Sequence, residues 1–591
     1  MTPGREMAAP RAGGHEFRRP RRRPTRRHAA FLLAAAAVAV LAIWAFDSGT
    51  PGRVADTTFA FGRGLYDAPI VETITSATPG ATIVYTIDGT EPSADHGVRV
   101  TALDAESPPV AHVQIGRTTV LRAAAFKGGL APTNVDTKTY IMVEDVLAQD
   151  GTGLPPHAAW GHAGPDWAMD PLVVRAPQYA GGLSRDLRSI PSLALTMAWD
   201  DLFGADGRGI YIDGEDVEKP AVAELIVSAG QRGESFDTAC TVEIVGGSSV
   251  LRWRSDKLSL RLKFPRDLRA DVFGDARAAA RFDTLVLDAG FNNHWHYGGE
   301  ADMLGQHMRA QYVLDQYVAD LQRAAGGLAP HGRAVFLYLN GLFWGLYVLH
   351  ERPDADFAAA YRGGRKAEYE VMRHDLKGVV AGSGREYRAL VADAGRDLSV
   401  RAHYEAVIAR LDLDDFIRYV AVNIFVGNTD WSAQNWYASR RRGDKGRPWR
   451  FHSWDAERVL DHLQQNVTEV TPGDKGGPLY LHSRLRQSAA YRWRFAAVVR
   501  RLVEGPHAVL SPEAASRIYA RRLQEIDRAI VLESARWGDN RRVPPYTRDD
   551  EWLDRRTYLL KKYFPLRTGI VLQQLRDDGL YPALSERNRR P

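Results

Sequence analysis

Three acidic side chains and an amide occur in one part of the sequence. The segment GNTDWSAQNWYASRRR, residues 427–442, places Asp430 five positions before Asn435, and the later segment RFHSWDAE adds Asp455 and Glu457. Carboxylate and amide oxygens are hard ligands of the kind Mg²⁺ prefers, and a carboxylate also accepts a proton from a hydroxyl group. These residues therefore form either a hydrogen-bonded turn or a site that holds charge.

The surrounding pattern places these residues on loops. The segment DLDDFIRYVAVNIFVGN starts with acidic residues, has helical spacing and ends at Gly427, which predicts a helix leading into the Asp430 loop. The segment GRPWRFHSWDAE predicts a short strand that leads to Asp455. In protein kinases an Asp accepts the substrate proton, an Asn five residues later binds a metal, and a second Asp binds the same metals. The spacing favours phosphoryl transfer.

A phosphate-binding region is predicted upstream. In EIVGGSSVLRWRSDKLSLRLKF a Gly-rich turn follows a strand and can direct backbone N–H groups at phosphate. Lys257 opens the next predicted strand, and Glu351 closes the strand GLYVLHE, where a carboxylate can hold that lysine. Each feature alone has a plainer interpretation: the turn can be an ordinary hairpin turn, Lys257 a solvated lysine and Glu351 the partner of Arg352. The prediction therefore rests on the order in which these motifs follow one another along the chain. The turn consists of Gly246, Gly247, Ser248 and Ser249.

A second group of metal-ligand residue types lies in NNHWHYGGEAD. His294, His296, Glu300 and Asp302 are all possible ligands of a transition metal. Polar loops of this kind commonly hold histidines for hydrogen bonding, so substrate contact or structural packing is the favoured interpretation.

The net charge argues against a nucleic-acid-binding protein. The 591 residues carry +5, but residues 1–28 contain nine Arg and two Glu, so residues 29–591 carry −2. The folded part is therefore not basic, and nucleic acid is not predicted as a partner. Cys240 is the single cysteine, which excludes an intrachain disulfide and a zinc site built on cysteine pairs.

The N-terminal residues predict an export or anchoring segment. Residues 1–28 form a basic tail, and residues 29–46, AAFLLAAAAVAVLAIWAF, are eighteen residues without charge. This length is enough to span a bilayer, and the arginines are expected on the cytoplasmic side. The prediction is an uncleaved signal anchor that makes the membrane a partner and places the bulk of the chain outside the cytoplasm. A cleaved signal peptide is the alternative.

A small all-β domain is predicted at residues 59–143. The segments YDAPIVETITSATPGATIVYTIDGTEP and TTVLRAAAF alternate apolar and polar residues, as strands do. They resemble the C-terminal sandwich domain of chitobiases and hexosaminidases. The resemblance implies an accessory module, interpreted here as a spacer or docking domain, with binding of a cell-surface glycan as the alternative.

Several motifs downstream resemble the spore coat protein H (CotH) kinase-like family. They are KLSLRLKF after GGSS, LDAGFNNHWHY, YLNGLFWGLYVLHERPDADF, NIFVGNTDWSAQNWYASRR and WRFHSWDAE. The resemblance implies an atypical protein-kinase-like domain over residues 189–480, after a linker at 144–188 and before a helical region at 481–591. It also implies transfer of phosphate from ATP to protein Ser or Thr with Mg²⁺.

The resemblance also implies a role for individual residues. Asp430 is expected to be the catalytic base, Asn435 and Asp455 metal ligands, and Lys257 a phosphate contact beside the Gly-rich turn. Two positions depart from the family pattern. Val250 stands where many relatives have Arg, and Glu457 stands where many have Asp, as a longer carboxylate that can still bind a metal.

The predicted fold class is α+β: a transmembrane helix, a small all-β sandwich, an atypical protein-kinase-like domain and a helical C-terminal region. The predicted function is a protein kinase at the cell surface or periplasm. The alternative is a membrane-anchored surface binding or scaffold protein with little or no turnover, because ATP is scarce outside cells. A glycosidase is disfavoured because no carboxylate pair suited to a sugar cleft is recognised.

Overall fold

The computed structural model describes residues 52–582 apart from 153, 155–159, 161–163, 205–208, 214–216, 252–253, 297, 299–304, 433, 444–445 and 469–475. The predicted fold class is wrong in its transmembrane helix: across these residues no helix is long and apolar enough to cross a bilayer. The segment 29–46, on which that prediction rested, lies outside the described residues. The small all-β domain and the α+β domain of the same prediction are both present.

The first unit is a β-sandwich whose two sheets bury alternate side chains. A three-stranded sheet has the order β1-β3-β6, and a five-stranded sheet has the order β2-β8-β7-β4-β5. Ile74, Leu121 and Tyr140 are among the side chains buried between them. The strands are β1 (Thr57–Phe59), β2 (Gly64–Tyr66), β3 (Ile70–Ser76), β4 (Thr82–Thr86), β5 (Val98–Thr101), β6 (Val110–Ile115), β7 (Thr119–Phe126) and β8 (Asp136–Met142).

Short helices connect the sandwich to the second unit. Asp170 caps one of them, since its carboxylate accepts the N–H of Leu172 at 2.7 Å. Arg63 of the sandwich lies 3.4 Å from the Glu224 carboxylate, so the two units contact each other directly. The connecting helices are α1 (Val143–Leu147), α2 (Pro171–Val174), α3 (Pro177–Ala180) and α4 (Leu183–Asp186).

The second unit starts with a closed seven-stranded barrel of order β10-β11-β12-β13-β15-β14-β9. All neighbours are antiparallel except β9 and β14, whose parallel pairing closes the barrel. Side chains of every strand fill its interior, so this barrel is a packed core. Its strands and two short helices are β9 (Ser192–Thr196), α5 (Trp199–Phe203), α6 (Ile210–Asp213), β10 (Lys219–Ile226), β11 (Phe236–Val245), β12 (Ser259–Arg269), β13 (Arg281–Asp288), β14 (Gly332–Leu339) and β15 (Leu342–Glu351).

A tight hairpin and a long helix follow in this unit. Strands β14 and β15 turn at Asn340 and Gly341, whose φ angles of 47° and 85° are the left-handed conformations that a two-residue hairpin turn requires. The helix α7 (Leu314–Ala324) buries one face.

A second sheet, of order β17-β16-β18-β19, faces the barrel together with four helices. The predicted helix before the Asp430 loop is confirmed as α11, which packs on α7 and β19. Asp412 caps its start, and it ends at Gly427, whose φ of 64° is available to glycine without strain. The elements are α8 (Ala355–Arg362), β16 (Tyr369–Arg373), β17 (Val379–Ala381), α9 (Arg385–Ala394), α10 (Arg401–Ile408), α11 (Leu413–Val426), β18 (Trp436–Arg441) and β19 (Arg447–Ser453).

The C-terminal helices share one hydrophobic core with α7 and α11. The buried Arg567 donates hydrogen bonds to the carbonyl oxygens of Phe425 (2.7 Å) and Ile424 (2.9 Å), which lie in the last turn of α11. The helical region therefore fixes the end of the helix that leads into the Asp430 loop. Its helices are α12 (Pro478–Leu485), α13 (Ala489–Val503), α14 (Pro512–Ile526), α15 (Ala529–Trp537), α16 (Leu553–Tyr558) and α17 (Phe564–Asp577).

A buried ion pair joins the barrel to α15. Lys257 Nζ lies 2.6 Å from Glu533 Oε1 and donates a second hydrogen bond to the Leu346 carbonyl oxygen at 2.5 Å. The other carboxylate oxygen of Glu533 accepts the N–H of Leu346 at 2.7 Å. Both side chains are fully removed from solvent, so each charge depends on the other.

Replacing Lys257 alone is expected to be costly. Lys257→Met leaves the Glu533 carboxylate buried without a counter-charge, and we expect a loss of about 3–5 kcal/mol of folding stability. Lys257→Met combined with Glu533→Gln removes both charges of the pair and retains an acceptor for Leu346, so most of the loss should be recovered. Urea unfolding of the three proteins measures both effects.

Lys366→Met is the matched control, because the half-exposed Lys366 pairs with Asp283 at 2.9 Å on the surface. It should change stability by less than about 1 kcal/mol. A double variant as unstable as Lys257→Met would contradict the importance of the ion pair.

Candidate functional site

A cleft of about 520 Å³ lies between the barrel and the second sheet. It is bordered by the turn after β11, by β12, β13 and β15, by the loop after α11 and by the residues that follow β19. Seven of the ten site residues predicted from the sequence line this cleft. They are Gly246, Gly247, Ser248, Ser249, Asp430, Asn435 and Asp455.

The Gly-rich turn requires glycine at its first position. Gly246 has a φ of 152°, and a Cβ atom there would lie 1.9 Å from Ser249 Oγ. A Cβ on Gly247 would meet no atom within 4 Å. Val250, at the position where the family pattern has arginine, packs against the barrel core. Gly246 to Ser249 thus line the cleft, and the next side chain, that of Val250, turns away from it.

Hydrogen bonds fix Asp430 from both sides. Its N–H donates to Asn428 Oδ1 at 3.0 Å, and Asn428 in turn donates to Asn423 of α11 at 2.8 Å. Its two carboxylate oxygens accept hydrogen bonds from Gln434 Nε2 at 2.8 Å and from Asn435 Nδ2 at 3.0 Å. The carboxylate is therefore held in one orientation at the cleft wall.

Asn435 connects Asp430 to Asp455. Besides binding Asp430, its Nδ2 donates to the Asp455 carbonyl oxygen at 3.2 Å, and its backbone N–H donates to His374 Nδ1 at 3.0 Å. Asn435 and Asp455 have φ angles of 59° and 54°, a conformation that Asn and Asp tolerate better than most residues. Within the described part of the chain no group donates to Asn435 Oδ1, so this oxygen can bind a cation.

Sequence reasoning missed three ligands that lie beside this loop. Asp288, Asp315 and His350 each offer one ligand atom, and these atoms lie within 4.8 Å of one another. The Asp315 carboxylate accepts the N–H of Ala456 at 2.7 Å, which brings Asp315 next to Asp455. His350 Nδ1 donates to the Glu351 carbonyl oxygen at 2.8 Å, so the lone pair of His350 is on Nε2.

The carboxylates at this point repel one another. Desolvation and the charges of Asp288, Asp315 and Asp430 hold the pKa of Asp455 well above its ordinary value. Burial and the charges of Asp288 and Asp455 likewise hold the pKa of Glu457 well above its ordinary value. A divalent cation relieves such repulsion, and the donor set of carboxylates, an amide oxygen and an imidazole suits Mg²⁺ or Mn²⁺.

Glu457, the last predicted metal ligand, lies behind these carboxylates. Its side chain is buried and does not line the cleft, and its Oε2 accepts the N–H of Asn292 at 2.8 Å. The contact anchors the turn after β13 that presents Asp288. Glu457 thus holds the backbone beside Asp288 from a buried position outside the cleft.

Three arginines line the same cleft as the carboxylates: Arg261 of β12, Arg352 after β15 and Arg373 of β16. Burial and the guanidinium charges of Arg352 and Arg373 lower the pKa of Arg261. Arg261 also pairs with Glu243, and Arg352 Nε donates to the Tyr437 hydroxyl at 3.4 Å. Guanidinium groups in this arrangement fit an anion with several oxygens, such as a phosphate chain.

Two predicted assignments are corrected by the structure. Lys257 does not line the cleft, because it is buried and paired with Glu533. Glu351 does not hold Lys257 and is also absent from the cleft. Its carboxylate accepts the N–H of His331 at 2.8 Å and the hydroxyl of Tyr361 at 2.6 Å.

Strand geometry explains the error at Glu351, and a position outside any strand explains the error at Lys257. Successive residues of a strand face opposite sides, so an inward-facing Glu351 turns His350 and Arg352 to the cleft. Lys257 lies in the turn before β12, where strand alternation does not apply. Within β12 the alternation holds, and Ser259 and Arg261 both reach the cleft. For Asp288 a signal was present: it is a polar residue at the end of the apolar strand FDTLVLD.

The histidines of NNHWHY form no part of the candidate cation site. Both are buried, His294 Nε2 lies 3.2 Å from Ser255 Oγ, and His296 Nε2 lies 3.1 Å from the Asp256 carboxylate. Glu300 and Asp302 lie outside the described residues. These contacts agree with the packing interpretation.

Comparisons with known proteins identify two families in this chain. A family model described as CotH kinase protein matches residues 242–567, and the candidate site lies within that range. A model described as the chitobiase/beta-hexosaminidase C-terminal domain matches residues 62–137, within the sandwich. Both resemblances recognised in the sequence are thereby confirmed. No curated protein matches the chain significantly.

Asp455→Asn is expected to stabilise the protein in the absence of divalent cations. The substitution removes one of several repelling charges, so we expect the unfolding temperature to rise by about 2–4 °C. Addition of Mg²⁺ should raise the unfolding temperature of the original protein and have much less effect on the variant, because binding to the folded state alone stabilises it. Asp554→Asn, at an exposed aspartate of α16, is the control and should respond like the original protein.

Cation affinity is expected to increase with pH. Carboxyl groups whose pKa is raised in the folded state must lose protons when a cation binds, so binding competes with protons. The folding stability of the cation-free protein has the opposite pH dependence. These groups contribute fully to stability below about pH 4, their ordinary pKa. The contribution is lost as the pH rises through their raised folded-state pKa values. Titration with Mn²⁺ from pH 5 to 8 tests the first effect, and an affinity independent of pH would contradict it.

Proposed function

This chain belongs to the CotH kinase family, and we propose that it transfers the γ-phosphate of ATP to a Ser or Thr hydroxyl of a protein in a reaction that requires Mg²⁺. The observation that supports this proposal most is the hydrogen-bonded unit of Asp430, Asn435 and Asp455 at the cleft. It joins a proton acceptor to a cation-binding region through one amide side chain.

The cation would be held by the acidic side of the cleft. Asp288, Asp315 and Asp455 would supply carboxylate oxygens, with Asn435 Oδ1 and His350 Nε2 nearby. When bound, Mg²⁺ supplies the positive charge that neutralises the phosphate oxygens during transfer. The hydrogen bonds from Ser259 to Asp288 (3.1 Å) and from Ala456 to Asp315 keep these carboxylates in place.

The nucleotide would occupy the rest of the cleft. Arg261, Arg352 and Arg373 are suited to the phosphate oxygens, and the Gly246–Ser249 turn can add backbone N–H donors. Val245 and Val286 line the same cleft and offer an apolar surface for the base. In this proposal Arg261 takes over the role that sequence reasoning gave to Lys257.

The chemical step would depend on Asp430. The oxygen of the acceptor hydroxyl forms a bond to the γ-phosphorus as the bond from that phosphorus to the bridging oxygen of ADP breaks, and ADP leaves with the electron pair. Asp430 accepts the hydroxyl proton. Gln434 and Asn435 orient the Asp430 carboxylate toward the incoming hydroxyl, and Asn428 fixes its backbone.

Two substitutions are expected to separate binding from transfer. Asp430→Asn should retain the affinity for Mg²⁺ and an ATP analogue within about twofold and lower the transfer rate at least about a hundredfold, because it removes the proton acceptor. Asp455→Asn should weaken Mg²⁺-dependent binding itself. Calorimetry gives the affinities, and ³²P transfer to the protein, to a Ser/Thr peptide library and to water gives the rates.

Asp554→Asn is again the control and should match the original protein in both measurements. Nucleotide binding by the original protein without any phosphate transfer would contradict the kinase proposal and support a binding role. Equal transfer by the Asp430→Asn variant would contradict the assignment of the base.

Lys257 and Arg261 provide a further comparison. Arg261→Gln is expected to weaken binding of the ATP analogue about tenfold or more, since it removes one cation that faces the cleft. Lys257→Met combined with Glu533→Gln should leave that affinity within about threefold, because neither side chain lines the cleft. A larger loss of affinity for the ATP analogue in the double variant would support Lys257 as the phosphate contact.

A further inference from the structure

A second cavity, of about 810 Å³, shares no lining residue with the cleft. It is bordered by the 273–277 loop between β12 and β13, by the end of α7, by the start of β14 and by α14. The proposed function assigns nothing to it.

Arginine dominates the lining of this cavity. Six arginines line it against three carboxylates, so its charged side chains carry a net charge of +3. His331, Phe273 and Ile518 also contribute to the wall. The charged residues are Arg232, Arg277, Arg323, Arg333, Arg521, Arg522, Asp275, Asp320 and Glu525.

All three carboxylates already have arginine partners. Asp275 pairs with Arg277 at 2.7 Å. Arg522 pairs with both Asp320, at 2.6 Å, and Glu525, at 2.8 Å, and Asp320 pairs with Arg323 as well. Among the described residues of the cavity wall, no acid is therefore left to neutralise the other arginines.

Three arginines remain without an ion pair among the described residues: Arg232, Arg333 and Arg521. Arg333 is buried and is fixed by a hydrogen bond from Nη1 to the Val272 carbonyl oxygen at 2.8 Å. Arg232 and Arg521 are exposed at the cavity and can adjust to a ligand. One fixed and two adjustable guanidinium groups make a site for a multiply charged anion.

We propose that this cavity binds a soluble small molecule with two or more phosphate groups. Guanidinium groups bind phosphate oxygens in pairs of parallel hydrogen bonds, and an anion of this charge compensates the three arginines that form no ion pair with any described residue. The volume admits more than a single phosphate. The net positive lining excludes a metal cation as the occupant.

Two elements connect this cavity with the cleft. Helix α7 carries Asp315 at the cleft and Asp320 at the cavity. His331 of the cavity wall hydrogen bonds to Glu351, which is the neighbour of His350. Because a phosphate compound can also enter the cleft, the test must measure the two sites separately.

The test titrates inorganic tripolyphosphate into the full chain at about 0.1 M salt, where long-range charge effects are screened. Arg232→Gln combined with Arg521→Gln should weaken tripolyphosphate binding at the second cavity at least tenfold. The affinity of the cleft for an ATP analogue should stay unchanged. Arg185→Gln combined with Arg401→Gln removes the same charge from exposed positions elsewhere and should leave tripolyphosphate binding unchanged. Arg261→Gln combined with Arg373→Gln alters only the cleft and should leave the second site intact.

Three results would overturn the proposal. They are no tripolyphosphate binding by the original protein, an equal loss in the Arg185/Arg401 control, and loss of all binding in the cleft variant. A protein that fails to transfer phosphate but still binds tripolyphosphate through Arg232 and Arg521 would refute the kinase proposal and leave this one standing.

Discussion

Electrostatic repulsion among acidic side chains is the constraint on which the site depends. Asp288, Asp315, Asp455 and Glu457 come from three separate segments, and desolvation together with the charge of Asp288 raises the pKa of Asp315, Asp455 and Glu457. The fold opposes this repulsion with backbone hydrogen bonds, from Ala456 to Asp315, from Gly290 to Asp288 and from Asn292 to Glu457. Such an arrangement is costly in stability unless a cation completes it, as at many functional sites.

The rest of the fold holds the segments that carry these charges. The barrel supplies Asp288 and His350 from neighbouring antiparallel strands, β13 and β15. Helix α7 packs on α11 and β19, so Asp315 approaches the residues that follow β19. Arg567 of α17 binds the last carbonyl groups of α11 and thereby steadies the entry to the Asp430 loop. The helical C-terminal region is thus structurally part of the site.

Local signals made part of this structure predictable from the sequence. Gly427 and Asn340-Gly341 mark a helix end and a hairpin because their conformations depend on neighbouring residues alone. The Asp430 loop was recognised because Asp430 and Asn435 lie five residues apart. Asp315 and His350 come together only through tertiary packing, and the choice between His350 and Glu351 depends on which strand face turns inward. Lys257 was misassigned because its partner Glu533 is distant in sequence and meets it only through tertiary packing.

The Lys257–Glu533 pair also bears on how the chain folds during synthesis. The two residues are 276 positions apart. While the ribosome makes the chain, every strand of the barrel emerges before α15, so Lys257 beside the barrel lacks its counter-charge until then. The barrel is therefore expected to reach its final packing only after residue 533 has left the ribosome. A truncated chain that ends after the Asp455 loop would contain the complete cleft motif and still lack a stable core.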